Sequence, residues 1–199
     1  PALLFFLTDF ADLPTGQRIL ASLFQAVTPR TAGYNTVDLT EMSNISRAVT
    51  ILLMLTGGAP GSTAGGMKVT TLAVLAANAV AAFFRREDPQ LFRRRLEPSA
   101  VRNAAAILLL YLALTVAGAA IIGAVEGLPL GACLYETASA AGTVGLTLGL
   151  TPQLGTLSQG ILILLMFFGR VGGLTLIYAA FSGHDLTYAR YPQEKITVG

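Results

Sequence analysis

The sequence predicts an all-α membrane protein in which one helical unit occurs twice. The 199-residue chain is 53% hydrophobic and only 12% charged, with a mean hydropathy of +0.64, whereas soluble domains carry about 25% charged residues. Two segments, Asn103–Val125 and Thr137–Gly169, contain no charged side chain. Each is longer than the roughly 20 residues that span a bilayer. The third observation is an internal repeat at an offset of 112 residues.

The repeat aligns two short loops of the form T-x-G without a gap. TAGYN at Thr31–Asn35 falls on TVGLT at Thr143–Thr147, and we call these the first and second T-x-G loops. Other identities at this offset include Ala26 with Ala138, Met54 with Met166 and Gly57 with Gly169. The two copies run in the same order and direction. This disfavours the main alternative, a secondary transporter with broken helices and inverted repeats.

A short amphipathic segment precedes each T-x-G loop. Gly16–Thr28 follows Pro14, and Leu130–Ala141 follows Pro129. Segments of this length are too short to span a bilayer and are typical of re-entrant helices. Such a helix directs the negative end of its dipole into the membrane, which favours a cation there. The loop glycine can adopt a positive φ, so that successive carbonyls face one side and replace the hydration shell of an ion, as in potassium channels.

The two loops are therefore the predicted ion filter. The predicted filter residues are the first four of each loop: Thr31, Ala32, Gly33, Tyr34, Thr143, Val144, Gly145 and Leu146. The backbone carbonyls expected to bind the cation are those of Thr31, Ala32, Gly33, Thr143, Val144 and Gly145. One T-x-G loop alone is a weak signal, whereas two at a common offset are a strong one.

A glycine-rich segment interrupts a long apolar run in the first copy. Ala48–Phe84 has 37 residues and as one helix would be about 55 Å long, well beyond the ~30 Å hydrocarbon core. Gly57–Lys68 (GGAPGSTAGGMK), called the glycine-rich segment below, divides it into two helices. Irregular backbone at membrane depth occurs only inside protein or beside a water-filled cavity. The segment therefore predicts a hydrated path.

The glycine-rich segment has two other interpretations. Its GxxxxG spacing is that of a phosphate-binding loop, but Met67 stands where the lysine of that motif belongs. Close helix packing through Gly57 and Gly61 would explain those glycines, but it does not explain Pro60 or the neighbouring serine and threonine. A broken helix beside a hydrated path fits the whole segment better.

The charge distribution predicts the topology. Arg85–Arg102 carries six arginines against three acidic residues, so by the positive-inside rule this loop and the C-terminal tail lie in the cytoplasm. The single cysteine, Cys133, and the single histidine, His184, leave no material for an internal disulfide, a Cys/His metal site or a nucleophile–base set. We expect no enzyme activity and no cofactor, and the net charge of +2 gives no reason to expect nucleic acid as a partner.

The motifs resemble those of a known transporter family. TPRTAGYNTVDL, GGAPGSTAGGMKVTT, SAAGTVGLTLGLTP and FFGRVGGLTL are similar to the C-terminal half of Trk/Ktr/HKT-type potassium transporter membrane subunits, the KtrB/TrkH/NtpJ group. In that family four tandem M1–pore helix–M2 units of one polypeptide surround a potassium-channel-like pore, M1 and M2 being membrane helices. The resemblance covers nearly the whole chain. It implies re-entrant pore loops and a broken M2 helix.

The resemblance also implies limits for each part of the chain. Residues 1–84 would form the third pore unit with most of M1 missing, and residues 85–102 a cytoplasmic arginine-rich loop. Residues 103–183 would form the fourth unit, and residues 184–199 a cytoplasmic C-terminal tail. The glycine-rich segment would be a gate beneath the filter, and the gate residues are Gly57, Gly58, Gly61, Ser62, Thr63, Gly65, Gly66, Lys68 and Arg170.

Arg170 is expected to act on this gate. It interrupts the last apolar segment, where an arginine at a helix centre costs about 2.5–3.5 kcal/mol on insertion scales. The repeat places it opposite Gly58, at the start of the glycine-rich segment. We expect it to donate hydrogen bonds to carbonyls of the segment and to form an electrostatic barrier to cations.

Function and partners follow from the resemblance as expectations. It implies the pore-forming subunit of a potassium uptake system in the plasma membrane, a bacterial inner membrane, with Na+ coupling left open. Expected partners are membrane lipid, the N-terminal half of the same polypeptide, a second copy in a homodimer, and a cytoplasmic nucleotide-binding regulatory ring. In the family, glycine in all four filter strands accompanies K+ selectivity and serine in the first accompanies Na+. Gly33 and Gly145 satisfy two positions, so a Na+-transporting member stays an alternative.

Overall fold

The computed structural model describes residues 1–86 and 88–172. This part of the chain contains seven α-helices, α1 Ala2–Thr8, α2 Thr15–Val27, α3 Asn44–Leu55, α4 Val69–Phe83, α5 Pro98–Glu126, α6 Leu130–Ala141 and α7 Thr156–Val171. An antiparallel hairpin of β1 (Gln90–Leu91) and β2 (Arg94–Arg95) joins α4 to α5. A short 3-10 helix, Thr151–Gln153, lies between α6 and α7.

The two short helices before the T-x-G loops form where the sequence predicts them. α6 has the predicted limits, and α2 begins and ends one residue earlier than predicted. Pro14 and Pro129 stand directly before these helices with φ of −54° and −64°. Proline fixes φ near the helical value, so each proline sets the point at which its helix begins.

The apolar run of the first copy folds as two helices, as predicted. α3 begins after Ser43, whose Oγ accepts a hydrogen bond from the Ser46 amide at 3.2 Å and caps the helix. α3 ends at Leu55, and α4 begins only at Val69. α7 begins 112 residues after α3 but continues to Val171, four residues beyond the position that matches the end of α3. Residues 168–171 of the second copy are thus helical where the matching residues of the first copy are not.

α5 is long and apolar enough to cross a membrane, with 29 residues and a mean hydropathy of 2.5 over its most apolar window. The other apolar helices in the described part of the chain, α3, α4 and α7, are shorter. α5 begins at Pro98, five residues before the predicted apolar segment, because proline suits the first helical position. It ends before Gly127, which adopts a left-handed φ of 67°. The arginine-rich loop is shorter than predicted by those five residues.

The two copies share one hydrophobic core. α5, α6 and α7 pack on one another, α1 packs on α2 and α3, and α3 packs on α6. The fully buried Tyr135 of α6 belongs to the same cluster as Phe5 of α1 and Met54 of α3. Ile122 of α5 and Leu162 of α7 belong to a second cluster on the other side of α6. Packing of α3 on α6 brings the two T-x-G loops together.

Several predictions concern residues that the structure does not describe. These are the continuation of the last helix to Phe181, the residue His184 and the tail of residues 184–199, all of which lie outside the described residues.

Candidate filter and gate

The two T-x-G loops have matching backbone conformations. The glycines have positive φ values, 74° at Gly33 and 92° at Gly145, as predicted. The threonines that open the loops also have positive φ values, 66° at Thr31 and 52° at Thr143. A β-branched residue rarely adopts this conformation, which costs on the order of 1–3 kcal/mol. Sequence reasoning missed this strain at the threonines, which occurs at the same place in both copies.

The first loop approaches the second very closely. A Cβ built on Gly33 would lie 2.0 Å from the carbonyl oxygen of Val144 and 3.7 Å from the Cα of Gly145. No side chain fits at residue 33. A Cβ built on Gly145 would meet nothing within 4 Å in the described part of the chain. Glycine is thus required at the first position by contact between the loops, and at the second by its backbone angle.

Backbone amides of both loops point back to the preceding helix. The amides of Ala32 and Gly33 donate to the Thr28 carbonyl at 3.2 and 3.1 Å, and the amide of Val144 donates to the Ser139 carbonyl at 2.9 Å. The Thr28 hydroxyl donates to the Tyr34 carbonyl at 2.5 Å. The amide donors of the loops are thus paired with carbonyls at the C-terminal ends of α2 and α6, which would otherwise lack a partner.

The loop carbonyls are left without donors. Within residues 1–86 and 88–172, no hydrogen bond reaches the carbonyl oxygens of Thr31, Ala32, Gly33, Thr143, Val144 and Gly145. Backbone carbonyls that have no protein donor, in two matching loops, can coordinate a cation. These six oxygens are the ones named from the sequence.

A cavity of about 530 Å³ lies along the second T-x-G loop. Its lining includes the whole loop, Glu136 and Ser139 of α6, and Leu162, Met166 and Arg170 of α7. The cavity therefore extends from the second T-x-G loop to Arg170.

The glycine-rich segment is a closed loop whose ends pair. The Gly57 amide donates to the Met67 carbonyl at 2.7 Å, and the Met67 amide donates to the Leu55 carbonyl at 3.1 Å. A Cβ built on Gly57 would lie 2.1 Å from the Gly65 carbonyl oxygen. Lys68 Nζ donates to the Ala64 carbonyl at 2.5 Å. The segment is compact because its glycines allow backbone to pass directly over backbone.

Three hydrogen bonds tie this segment to the second copy. The Gly65 amide donates to Thr143 Oγ1 at 3.2 Å, and the Gly66 amide donates to the Gly169 carbonyl at 3.3 Å. Arg170 Nη1 donates to the carbonyl of Thr63. The expected hydrogen bond from Arg170 to this segment is thus present, near its middle and not at Gly58. The segment spans the space between the second T-x-G loop and α7.

Glu136 is a residue that the sequence reasoning missed. It lies on α6, is 4% exposed and accepts hydrogen bonds from the last residue of the second T-x-G loop and from the chain that follows it. A lone carboxylate in an apolar segment is a signal that the sequence contains, because such residues are expensive in a membrane and are rarely there without a role.

Comparison with known proteins gives the family of the chain. The sequence profile of the TrkH family, described as a cation transport protein, matches residues 4–185. This chain belongs to the TrkH family. The resemblance stated from the T-x-G and glycine-rich motifs is confirmed. The family and the fold both indicate a helical membrane transporter. The roles of the T-x-G loops as a filter and of the glycine-rich segment as a gate stay predictions.

Individual relatives in the family give the same result. The chain is 37% identical over 182 residues to "Ktr system potassium uptake protein B" of Bacillus subtilis, covering 92% of this chain and 41% of that protein. It is 36% identical over 189 residues to "Potassium/sodium uptake protein NtpJ" of Enterococcus hirae, covering 92% and 42%. The crystal structure of the potassium transporter TrkH from Vibrio parahaemolyticus matches with a TM-score of 0.75 at 22% identity, covering 89% of this chain and 41% of that one. The chain spans about two fifths of the length of these relatives.

Proposed function

We propose that this chain supplies two of the four pore units in the membrane subunit of a potassium uptake system. K+ would pass over the carbonyl oxygens of the two T-x-G loops. The observation that carries the proposal is the set of six unpaired carbonyls in two loops with matching backbone. Rings of such carbonyls replace the hydration shell of K+. The names of the Bacillus and Enterococcus relatives support K+ as the ion.

The lengths of α2 and α6 support a re-entrant placement in the membrane. Helices of 13 and 12 residues rise about 20 Å and 18 Å, less than the ~30 Å of hydrocarbon. Hydrogen bonds from residues 147, 148 and 151 to Glu136 mean that the chain returns beside α6 after the second T-x-G loop. Each helix would direct its C-terminal carbonyl end, and with it a partial negative charge, towards the ion.

The glycine-rich segment is the proposed gate. It lies between the second T-x-G loop and Arg170 and is held by single hydrogen bonds to Thr143, Gly169 and Arg170. Bonds of this kind contribute about 0.5–1.5 kcal/mol each. A few of them stabilise the closed position of the segment but are weak enough to break when it opens. Glycines permit the large changes of φ and ψ that opening requires. The charge of Arg170 would oppose cations while the segment is closed.

The remaining proposals concern the assembly. The part of the relatives that this chain does not span would supply the other two pore units and the rest of the pore wall. A second copy, a cytoplasmic nucleotide-binding ring and membrane lipid complete the expected partners, in a bacterial plasma membrane with the arginine-rich loop and C-terminus in the cytoplasm. The Enterococcus relative is named for both potassium and sodium uptake, which favours a Na+-transporting or Na+-coupled subunit as the second candidate.

Flux through the purified full-length polypeptide tests the proposal. In proteoliposomes with an inside-negative potential we expect uptake of K+ or Rb+ that external Na+ leaves largely unchanged. Uptake that requires Na+, or that carries Na+ equally well, would favour the second candidate. Uptake of an organic solute or an anion without K+ would contradict both and favour a secondary transporter.

A further inference from the structure

Glu136 is a buried carboxylate in the middle of α6. Its neighbours in the helix, Tyr135 and Thr137, are fully buried, and Glu136 itself is 4% exposed. Burial of a carboxylate is unfavourable unless hydrogen bonds replace its hydration. The hydrogen bonds that Glu136 accepts therefore indicate which part of the chain it stabilises.

Three donors converge on this carboxylate, one from the last residue of the second T-x-G loop and two from the chain just beyond it. The Thr147 hydroxyl and the Leu148 amide donate to Oε1 at 2.7 and 2.8 Å. The Thr151 hydroxyl donates to Oε2 at 2.6 Å. A further bond, from the Gly149 amide to Thr147 Oγ1 at 2.9 Å, extends the network. Both oxygens are used as acceptors, which matches the acceptor-only carboxylate.

The first T-x-G loop is supported in another way. The 112-residue offset places Phe24 where α6 has Glu136. The first loop relies on the Thr28 hydroxyl, which donates to the Tyr34 carbonyl at 2.5 Å, and on Asn35 Oδ1, which accepts from the Val37 amide at 3.2 Å. Two loops with the same backbone angles thus differ in how they are held. The cross-link through a helix carboxylate belongs to the second loop.

We propose that Glu136 is a positioning residue for the second filter strand. Its three hydrogen bonds hold the outer end of the loop against α6, and so fix where the Val144 and Gly145 carbonyls lie. Discrimination between cations depends on the positions and number of such carbonyls. This inference rests on the proposed function, because it assigns ion selectivity to the loop.

Replacement of Glu136 by glutamine is the sharpest test of this role. Glu136→Gln keeps the shape but replaces one acceptor oxygen by an amide nitrogen that can only donate, so at least one of the three donors loses its partner. Thr151→Val removes one donor and leaves the carboxylate in place, as a milder variant should glutamine impair folding. Glu126→Gln is the matched control, because Glu126 Oε1 accepts from the Gly155 amide and the Ser158 hydroxyl at the start of α7 and does not contact the filter loop.

The full-length polypeptide in proteoliposomes gives the functional result. We expect Glu136→Gln to lower the ratio of K+ to Na+ flux by about tenfold, which one or two charge-assisted hydrogen bonds can account for. Thr151→Val should lower the ratio by less, and Glu126→Gln should leave it unchanged. A wild-type ratio in a folded Glu136→Gln protein would overturn the proposal.

Hydrogen exchange supplies a readout that does not depend on ion flux. Glu136→Gln should accelerate amide exchange at residues 147–151. Glu126→Gln should leave exchange there and at the start of α7 nearly unchanged, because both donors to Glu126 use a single oxygen that glutamine retains. If the wild-type protein shows no K+-selective flux, the proposed function fails, and exchange alone decides whether Glu136 holds the loop. Unchanged exchange at residues 147–151 would overturn the inference in either case.

Discussion

The backbone amide of Gly65 donates a hydrogen bond to the side-chain hydroxyl of Thr143 at 3.2 Å. Gly65 lies in the glycine-rich segment, and Thr143 opens the second T-x-G loop. A Cβ built on Gly65 would lie 2.1 Å from that hydroxyl oxygen and 2.7 Å from the threonine methyl. The proposed gate therefore touches the proposed filter directly, and no side chain fits between them.

Replacement of Gly65 by alanine should open the gate. The added methyl group overlaps Thr143 in the closed arrangement, so this arrangement loses stability relative to any in which the segment has moved away. We expect cation flux in proteoliposomes to rise several-fold, since about 1.4 kcal/mol corresponds to a factor of ten in population. Gly160→Ala is the control, because a Cβ there meets nothing within 4 Å. Lower flux in a folded Gly65→Ala protein would indicate that the contact is needed for conduction.

Deletion of Ser62–Gly65 and replacement of Arg170 by alanine should both raise cation flux. The deletion removes the carbonyl of Thr63, to which Arg170 donates, and the substitution removes the donor and its charge. Because both act on one contact, their effects should be non-additive, with a coupling of about 0.5–3 kcal/mol. Flux is measured for both single changes and for the double change. Arg102→Ala, which removes an exposed arginine of the first turns of α5, should change nothing. A deletion that abolishes flux in a folded protein contradicts the gate.

Serine at the two loop glycines should reduce discrimination between K+ and Na+ to different extents. Gly33→Ser brings a side chain to within 2.0 Å of the Val144 carbonyl oxygen, so it should disturb both loops and also lower the melting temperature. Gly145→Ser meets no atom within 4 Å but must keep a φ of 92°, a strain of roughly 1–3 kcal/mol. Its main effect should be on selectivity. Competition between K+ and Na+ uptake, together with thermal unfolding, checks both, and unchanged selectivity in the two variants would exclude the filter assignment.

Asp9 should make the stability of the protein depend on pH in acid. Partial burial raises the pKa of its carboxyl, but hydrogen bonds from Ser46, Thr8 and Ser43 outweigh this and hold the pKa below its ordinary value. A carboxyl whose pKa is lowered on folding stabilises the folded state above its unfolded pKa, and this contribution is lost as the pH falls through the folded pKa. Asp9→Asn should therefore have a lower melting temperature than wild type at pH 7. The difference should shrink below about pH 4.

The control for this pH effect is Asp12→Asn. Asp12 is exposed and lies three residues further along the chain, so its replacement should give nearly the wild-type melting curve at both pH values. A difference in melting temperature between wild type and Asp9→Asn that stays constant from neutral to acid pH would contradict this prediction. It would show that the charge of the Asp9 carboxylate does not stabilise the fold.

Local chemistry was enough to predict where several elements begin and end. α6 follows Pro129 and ends at Ala141 as predicted, and the run Ala48–Phe84 is divided at the glycine-rich segment. The positive φ of Gly33 and Gly145 was expected from residue type. These features depend on proline, glycine and hydropathy acting over a few residues. The internal repeat showed that the two loops correspond, and the motifs around them indicated the family.

Only the tertiary structure decided how distant segments meet. Thr31 and Thr143 have positive φ values, which β-branched residues rarely adopt by their own preference. The surrounding packing therefore imposes this conformation. Gly65 and Thr143 are 78 residues apart in the chain, and the three donors to Glu136 come from another segment than its helix. Such contacts exist because α3 packs on α6 and the chain returns beside α6. Close approach and burial are properties of the packed helices together, and no residue's own preference determines them.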